Sequence, residues 1–223
     1  MTSLFQNRAD AGKKLAEDLL PWADQSPIIL ALPRGGVPVA YEVAKRLRAP
    51  LDVFVVRKVG VPGHEELAMG AIASGGIRVM NESVMRQLNI REPVFAAAAN
   101  QELRELTRRE AEYRAGRTKP VIAGRTVILV DDGLATGSTM RAAVEAVNTQ
   151  QPKMLIVAVP VAAKSTCDEL SEEADRVICH ATPEPFRAVG VWYENFSQTT
   201  DAEVKELLRL AAPEVARSGD SSA

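Results

Sequence analysis

The sequence predicts an α/β fold in which a buried parallel sheet is flanked by helices on both faces. Three observations predict it. Apolar runs at Ile28 to Leu32, Leu51 to Val56, Val127 to Val130 and Leu155 to Val159 are spaced along the chain, and the last three are continuous and rich in branched residues, the mark of strands covered on both faces. Helical stretches at Val37 to Leu47, Ser138 to Val147 and Lys164 to Glu173 stand between them, which is the alternation of a doubly wound sheet. The length of 223 residues and the 46% hydrophobic content suit one domain with a sizeable core.

The remaining elements follow in order. A first amphipathic helix from about Asp10 to Leu20 carries Ala11, Leu15, Leu19 and Leu20 at helical spacing before Pro21, and is expected to cap an edge of the sheet. A long polar helix from Pro93 to Arg114, ended by Gly116, interrupts the alternation, and Glu105 can pair with Arg109 one turn on. It reads as an insertion, about residues 93–115, suited to a homodimer contact. The tail from Pro213 on is expected to fray.

Composition narrows the function. The 27 basic and 29 acidic residues leave a net charge of -2 with no dense basic run, so nucleic acid is not the expected partner. Neither a signal-type apolar segment at the start nor a bilayer-length run appears, which predicts a cytoplasmic protein with no membrane partner. Cys167 and Cys179 lack metal-ligand spacing and are expected as thiols rather than a disulfide. With His64 and His180 equally isolated, no metal site built by the protein alone is in view.

The chemistry concentrates in Val127 to Thr139, where a buried strand ends in Asp131 and Asp132 and passes through a small-residue loop into a helix. In an open parallel sheet, ligands lie beyond the carboxyl ends of the strands. There the backbone N–H groups and the hydroxyls of Thr136, Ser138 and Thr139 can form a phosphate cradle, with Gly137 permitting close approach and the helix dipole favouring the anion. Asp131 and Asp132 can accept bonds from two neighbouring sugar hydroxyls and hold a hydrated magnesium ion. Phosphate plus diol describes a ribose 5-phosphate. The plainer reading makes Asp132 a helix start and the loop merely polar, but the order of strand, carboxylates, loop and helix favours the ligand. Neither a G-x-x-x-x-G-K-[ST] nor a G-x-G-x-x-G after a strand is present, which argues against a nucleoside triphosphatase or a dinucleotide-binding fold.

This segment resembles the thirteen-residue phosphoribosyl pyrophosphate (PRPP) signature of the type I phosphoribosyltransferases. Gly133 stands where members usually carry an aliphatic residue and Ala135 where a hydroxyl residue is common. The resemblance implies a Rossmann-like type I phosphoribosyltransferase fold with a core of about residues 10–180 and a small hood at about 181–197 joined by the N-terminal segment. It implies that Asp131 and Asp132 hold the ribose hydroxyls, and that Ala135, Thr136, Gly137, Ser138 and Thr139 bind the 5-phosphate. Magnesium would then be held through PRPP and waters near the two carboxylates.

Two further segments agree with the resemblance. Arg34-Gly35-Gly36 follows the first strand and opens a helix; a simple turn would account for the glycines as well, but the Arg-Gly-Gly form is similar to the family's pyrophosphate loop, whose backbone often adopts a cis peptide there. The second strand ends in Arg57-Lys58 and leads into a Gly- and Pro-containing stretch, Val59 to Gly70, similar to the mobile loop of orotate phosphoribosyltransferases, where basic residues meet the pyrophosphate. For His64, Glu65 and Glu66 a solvated surface loop explains as much, and Lys58 is the stronger candidate.

The hood candidate runs from Pro183 to Phe196, and Phe186, Trp192 and Tyr193 could offer a flat acceptor a stacking surface, although packing against the core accounts for at least half of its aromatics. The sequence therefore predicts transfer of ribose 5-phosphate from magnesium-bound PRPP to a nitrogenous base or amine, with release of pyrophosphate. The alternative is a regulator that binds PRPP without turning it over. Too few residues before Arg34 for a winged DNA-binding domain, and a near-neutral charge, argue modestly against it. A PRPP synthase or a pyrophosphokinase would need nucleotide-binding elements that are not found.

Overall fold

The computed structural model describes residues 3–211 of the chain. Five strands form a parallel sheet, namely β1 (Ile28–Ala31), β2 (Leu51–Val53), β6 (Thr126–Val130), β7 (Met154–Val161) and β8 (Arg176–Ala181), in the order β2-β1-β6-β7-β8. The chain moves outward from β1 to β2 on one side, then returns to lay β6 on the other, with Ile28 opposite Val127 and Ala31 opposite Val130. The sheet therefore switches direction between β1 and β6, which is where such sheets open a crevice for ligands.

Period-two geometry divides the core. Ile29, Ala31, Ile128, Val130, Ile156 and Ala158 face one way, against α1 (Arg8–Asp18) and α2 (Gly36–Leu47). Ile28, Leu30, Val127, Leu129, Leu155 and Val157 face the other, against α5 (Ser138–Asn148) and α6 (Lys164–Leu170). Both faces are covered at β1, β2, β6 and β7, where nearly every residue is apolar and buried, as the continuous runs predict, whereas the outer strand β8 is only partly buried. The remaining helices are α3 (Glu82–Gln87), α4 (Glu92–Arg114) and α7 (Asp201–Leu210). No helix among the described residues is long and apolar enough to cross a membrane.

The structure departs from expectation in four places. The run from Leu51 breaks after Val53, and Arg57-Lys58 lie inside a new strand, β3 (Val56–Val61). The stretch 59–70 is not a loop: β3 pairs antiparallel with β4 (His64–Ala73), and β4 with β5 (Ile77–Met80), in a separate three-stranded sheet. Pro62-Gly63 supplies the turn, Gly63 taking a φ of 80°, while Val59, Val61, Met69 and Ile72 bury one face of the hairpin in a cluster with Phe95 of α4. The inserted helix thus covers this second sheet, and it reaches back to the first through Arg114, whose Nε donates to Asp52 Oδ2 of β2 at 2.8 Å. The Glu105–Arg109 pair forms at 2.8 Å. Third, α3, β5, β8 and α7 correspond to no element that the sequence predicts.

The cysteines are the fourth correction. Cys167 of α6 and Cys179 of β8 form a disulfide, because helix and strand pack side by side and bring the two Cα atoms to 6.8 Å. That separation lies within reach of a disulfide, and a sequence gap of 12 residues does not reveal it. The tail from Pro213 lies outside the described residues.

Candidate active site

The two loops at the switch point meet face to face. After β1 the chain turns through Arg34-Gly35-Gly36 into α2, with a cis peptide between Pro33 and Arg34. After β6 it continues into Asp131-Asp132. The glycines are there because the loops touch: a Cβ on Gly35 would lie 2.0 Å from Asp132 Oδ2, and one on Gly36 would lie 2.6 Å from Val130 O and 2.9 Å from Asp131 Cα. Arg34 turns its guanidinium toward Asp201 at the start of α7, at 3.9 Å.

The acidic pair is held from several sides. Asp131 Oδ1 accepts the Asp132 N–H at 2.8 Å. Asp132 Oδ2 accepts from Arg8 Nε at 2.7 Å, an ion pair whose side chains are only 12% and 15% exposed, and the Asp132 carbonyl accepts the Tyr193 hydroxyl at 2.6 Å. Burial, and then the adjacent Asp132 charge, push the Asp131 carboxyl well above the usual carboxylate range. Burial also raises Asp132, and Arg8 holds that rise back. Burial, followed by the charge of Asp132, raises the Tyr193 phenol and keeps its proton in place as a donor.

The loop beyond the pair is different in character. Ala135, Thr136 and Ser138 are exposed, and Gly137 takes the left-handed conformation, φ 68°, that turns the chain into α5. No side chain caps α5, which leaves N–H groups of its first turn facing outward. The loop is braced from behind: Thr166 Oγ1 of α6 donates to Ala135 O at 2.6 Å, its Cγ2 fills the space where Gly137 lacks a side chain, and Leu134 bridges to Ala162 after β7. Gly133 has its own explanation. The Val189 side chain occupies the space an aliphatic residue there would take, its Cγ1 lying 2.5 Å from where a Cβ would stand.

Asp131, Asp132, Gly35, Gly36 and the 135–139 loop thus follow the carboxyl ends of the neighbouring central strands β1 and β6. Lys58 lines a separate cleft of about 600 Å³ between α5 and the antiparallel sheet, where Ser138 and Arg141 also stand. Arg57, its neighbour, pairs instead with Glu102 of α4 at 2.5 Å. Trp192 and Tyr193 are buried against Phe5, and Phe186 is the more exposed of the three hood aromatics proposed from sequence. Sequence reasoning missed Arg8, Thr166 and Val189. Nothing local marks them, since Arg8 lies 124 residues from its partner.

These features can bind an anion and a diol side by side. Two carboxylates are too few to cage a metal, and no cluster of three or more His, Cys, Asp or Glu side chains suited to one occurs among the described residues. Hard oxygen donors beside an anion cradle do fit a magnesium ion that keeps most of its waters and arrives bound to phosphates.

Comparison with known proteins points the same way. A family model described as "phosphoribosyl transferase domain" matches residues 2–194. Two Mycobacterium tuberculosis proteins, from strains CDC 1551 and H37Rv, bear names that assign them provisionally to the phosphoribosyl transferases; each is 44% identical over 216 residues, covering 97% of this chain and 49% of the relative. The chain therefore spans about half the length of the curated relatives it matches. The crystal structure of TT1426 from Thermus thermophilus superposes with a TM-score of 0.84 at 41% identity, covering 96% of this chain and all of that one.

Proposed function

Because this chain belongs to the phosphoribosyl transferase family, we propose that it is a pentosyltransferase that uses magnesium-bound PRPP, passes ribose 5-phosphate to a nitrogenous base or amine, and releases pyrophosphate. The observation that carries this reading is the contact between the acidic pair and the Arg34-Gly35-Gly36 loop at the switch point, with the exposed 135–139 loop and the uncapped start of α5 directly after it.

In the reaction the bond from the anomeric carbon to the pyrophosphate oxygen breaks, its electron pair leaves with pyrophosphate, and an acceptor nitrogen bonds to the same carbon and gives up a proton. Positive charge builds on the ribose and negative charge on the leaving group. The first-turn amides of α5 and the hydroxyls of Thr136, Ser138 and Thr139 anchor the 5-phosphate. Asp131 and Asp132 accept bonds from the ribose hydroxyls, which fixes the ring and places negative charge near the developing cation. Gly36 N–H already donates to Leu32 O at 3.0 Å, so this loop offers the pyrophosphate the amides of Arg34 and Gly35 together with the Arg34 guanidinium. Magnesium, when bound with PRPP, neutralises charge on the leaving group. Lys58 lines the neighbouring cleft, which Ser138 also borders, and from there it can attract the departing anion. Within this reading the protein acts in the cytosol, and the acceptor rests on the segment 183–196, where Phe186 is best placed to touch it.

The test is exchange of labelled pyrophosphate into PRPP with magnesium, with purines, pyrimidines and amines supplied as acceptors. Exchange or product formation supports transfer. Tight PRPP binding with no turnover on any acceptor points to the regulator instead, and no binding overturns the assignment.

A further inference from the structure

We propose that Arg8 is a positioning residue for the reaction: from the first turn of α1 its guanidinium orients the Asp132 carboxylate toward the ribose hydroxyls and offsets the charge of the acidic pair. The proposal deepens the functional reading above and rests on it.

The placement of Arg8 is built into the packing. Asn7 caps α1, its Oδ1 accepting the Asp10 N–H at 2.9 Å, so Arg8 starts a fixed helix. That helix lies hard against α2, where a Cβ on Gly12 would stand 2.5 Å from Val39 O, and α2 is the helix that leads out of the Arg34-Gly35-Gly36 loop. Three contacts then lock the side chain. Nε donates to Asp132 Oδ2 at 2.7 Å, Nη1 donates to Ser197 O at 2.7 Å, and the guanidinium stacks over the Phe196 ring at 3.9 Å. The pair hangs over the pyrophosphate loop: a Cβ on Gly35 would lie 3.3 Å from Arg8 Nε.

A buried ion pair is weak evidence for a stabilising role. This one has a clearer use. Arg8 binds Asp132 through a single oxygen, so the other stays free to accept a hydroxyl. Two adjacent carboxylates would repel a polyanionic donor, and one guanidinium against them removes half of that charge. The groups facing Asp132 are Asp131 in its own loop, Arg8 from α1, and Tyr193, which binds its carbonyl; Gly35, from the loop after β1, brings no charge. Arg8 is the one cation among them.

The experiment is calorimetric titration of magnesium and PRPP into the full chain and its variants between about pH 5.5 and 8.5. For Arg8→Met, affinity should fall about tenfold or more. The pH at which binding is lost on acidification should also rise by about one unit, because Asp132 has lost the cation that favours its ionised form. Arg8→Lys should recover part of the affinity and keep the wild-type acid limb, an outcome that a purely structural role would not produce. A folded Arg8→Met with wild-type affinity at every pH overturns the proposal. So does Arg8→Lys matching Arg8→Met in affinity and acid limb. Where Arg8→Met fails to melt cooperatively, Arg8→Lys decides, and a shifted acid limb in that charge-preserving variant counts against it. Wild-type protein that does not bind PRPP overturns the functional reading and this proposal together, whereas wild-type binding that Asp132→Asn abolishes, beside an unaffected Arg8→Met, overturns this proposal alone.

Discussion

The acidic pair and the hydroxyl loop are consecutive in the chain, yet the fold gives them opposite surroundings. Asp131 and Asp132 are partly buried and gripped by Arg8, Tyr193 and the glycines of another loop, with both carboxyls pushed upward by burial. Thr136 and Ser138 stand in solvent, their hydroxyls bond each other at 3.5 Å, and they lie at the start of a helix that no side chain caps. The difference teaches where the cost of a site lies. Like charges held close together destabilise the free protein and are ready beforehand, while exposed hydroxyls and amides already bond to water and lose little until a phosphate replaces it.

The sharpest way to break this contrast is Asp131→Asn. PRPP affinity should fall about 100-fold in calorimetry, the loss of charge-assisted bonds to the ribose. The same variant should be the more stable protein at neutral pH. The folded-state pKa of Asp131 lies above its unfolded value, so the stability linked to its proton is present in acid and disappears as pH rises through the folded pKa. Asparagine removes that dependence. We expect a gain in Tm of about 2–4 °C near pH 7.5, for about 1 kcal/mol, shrinking toward about pH 4. A Tm difference that does not vary with pH would sink the claim that the pair stores repulsion.

Lys58→Ala comes next. Turnover should drop about tenfold while PRPP affinity changes by less than about threefold, since a residue that meets the leaving group acts in the transition state. An unchanged steady-state rate would remove Lys58 from the mechanism. Gly137→Ala probes the turn between the halves. Its φ of 68° and the approach of Thr166 Cγ2 to 2.6 Å predict a stability loss of about 1–2 kcal/mol with a several-fold loss of affinity. Smallest are Thr136→Ala and Ser138→Ala, each expected to weaken binding about threefold to tenfold with no change in Tm. Should either match the loss from Asp131→Asn, the two halves would not differ as described.

The parallel sheet was legible because burial on both faces imposes unbroken apolar runs, as at Val127 to Val130 and Leu155 to Val159. The turn from β6 through Gly137 into α5 was legible because strand, carboxylates, glycine and helix are contiguous. The antiparallel sheet was not. His64, Glu65 and Glu66 in β4 face solvent and hide the alternation, and the hairpin acquires its apolar face only against Phe95 of α4. The strand β8 opens with exposed Arg176 and carries His180 and Cys179 at an edge, so its signal is equally faint. Arg8 was illegible for a different reason, as a lone arginine near a helix start says nothing about a carboxylate 124 residues away. Placing it required knowing that Gly12 lets α1 rest on α2.

The joining of distant segments has a consequence for synthesis. Phe5 bridges to Tyr193, the Leu4 and Phe5 amides bond Trp192 O, and Arg8 reaches both Asp132 and Ser197. A nascent chain emerges from its N-terminal end, so a ribosome that has delivered Asp131, Asp132 and the 135–139 loop has not yet delivered Tyr193, Phe196 and Ser197, which hold Asp132 and Arg8 in place. Until residues near 197 have cleared the exit tunnel, Arg8 can meet Asp132 but lacks the Ser197 carbonyl and the Phe196 ring that lock its guanidinium, so the setting of the acidic pair is completed late in synthesis.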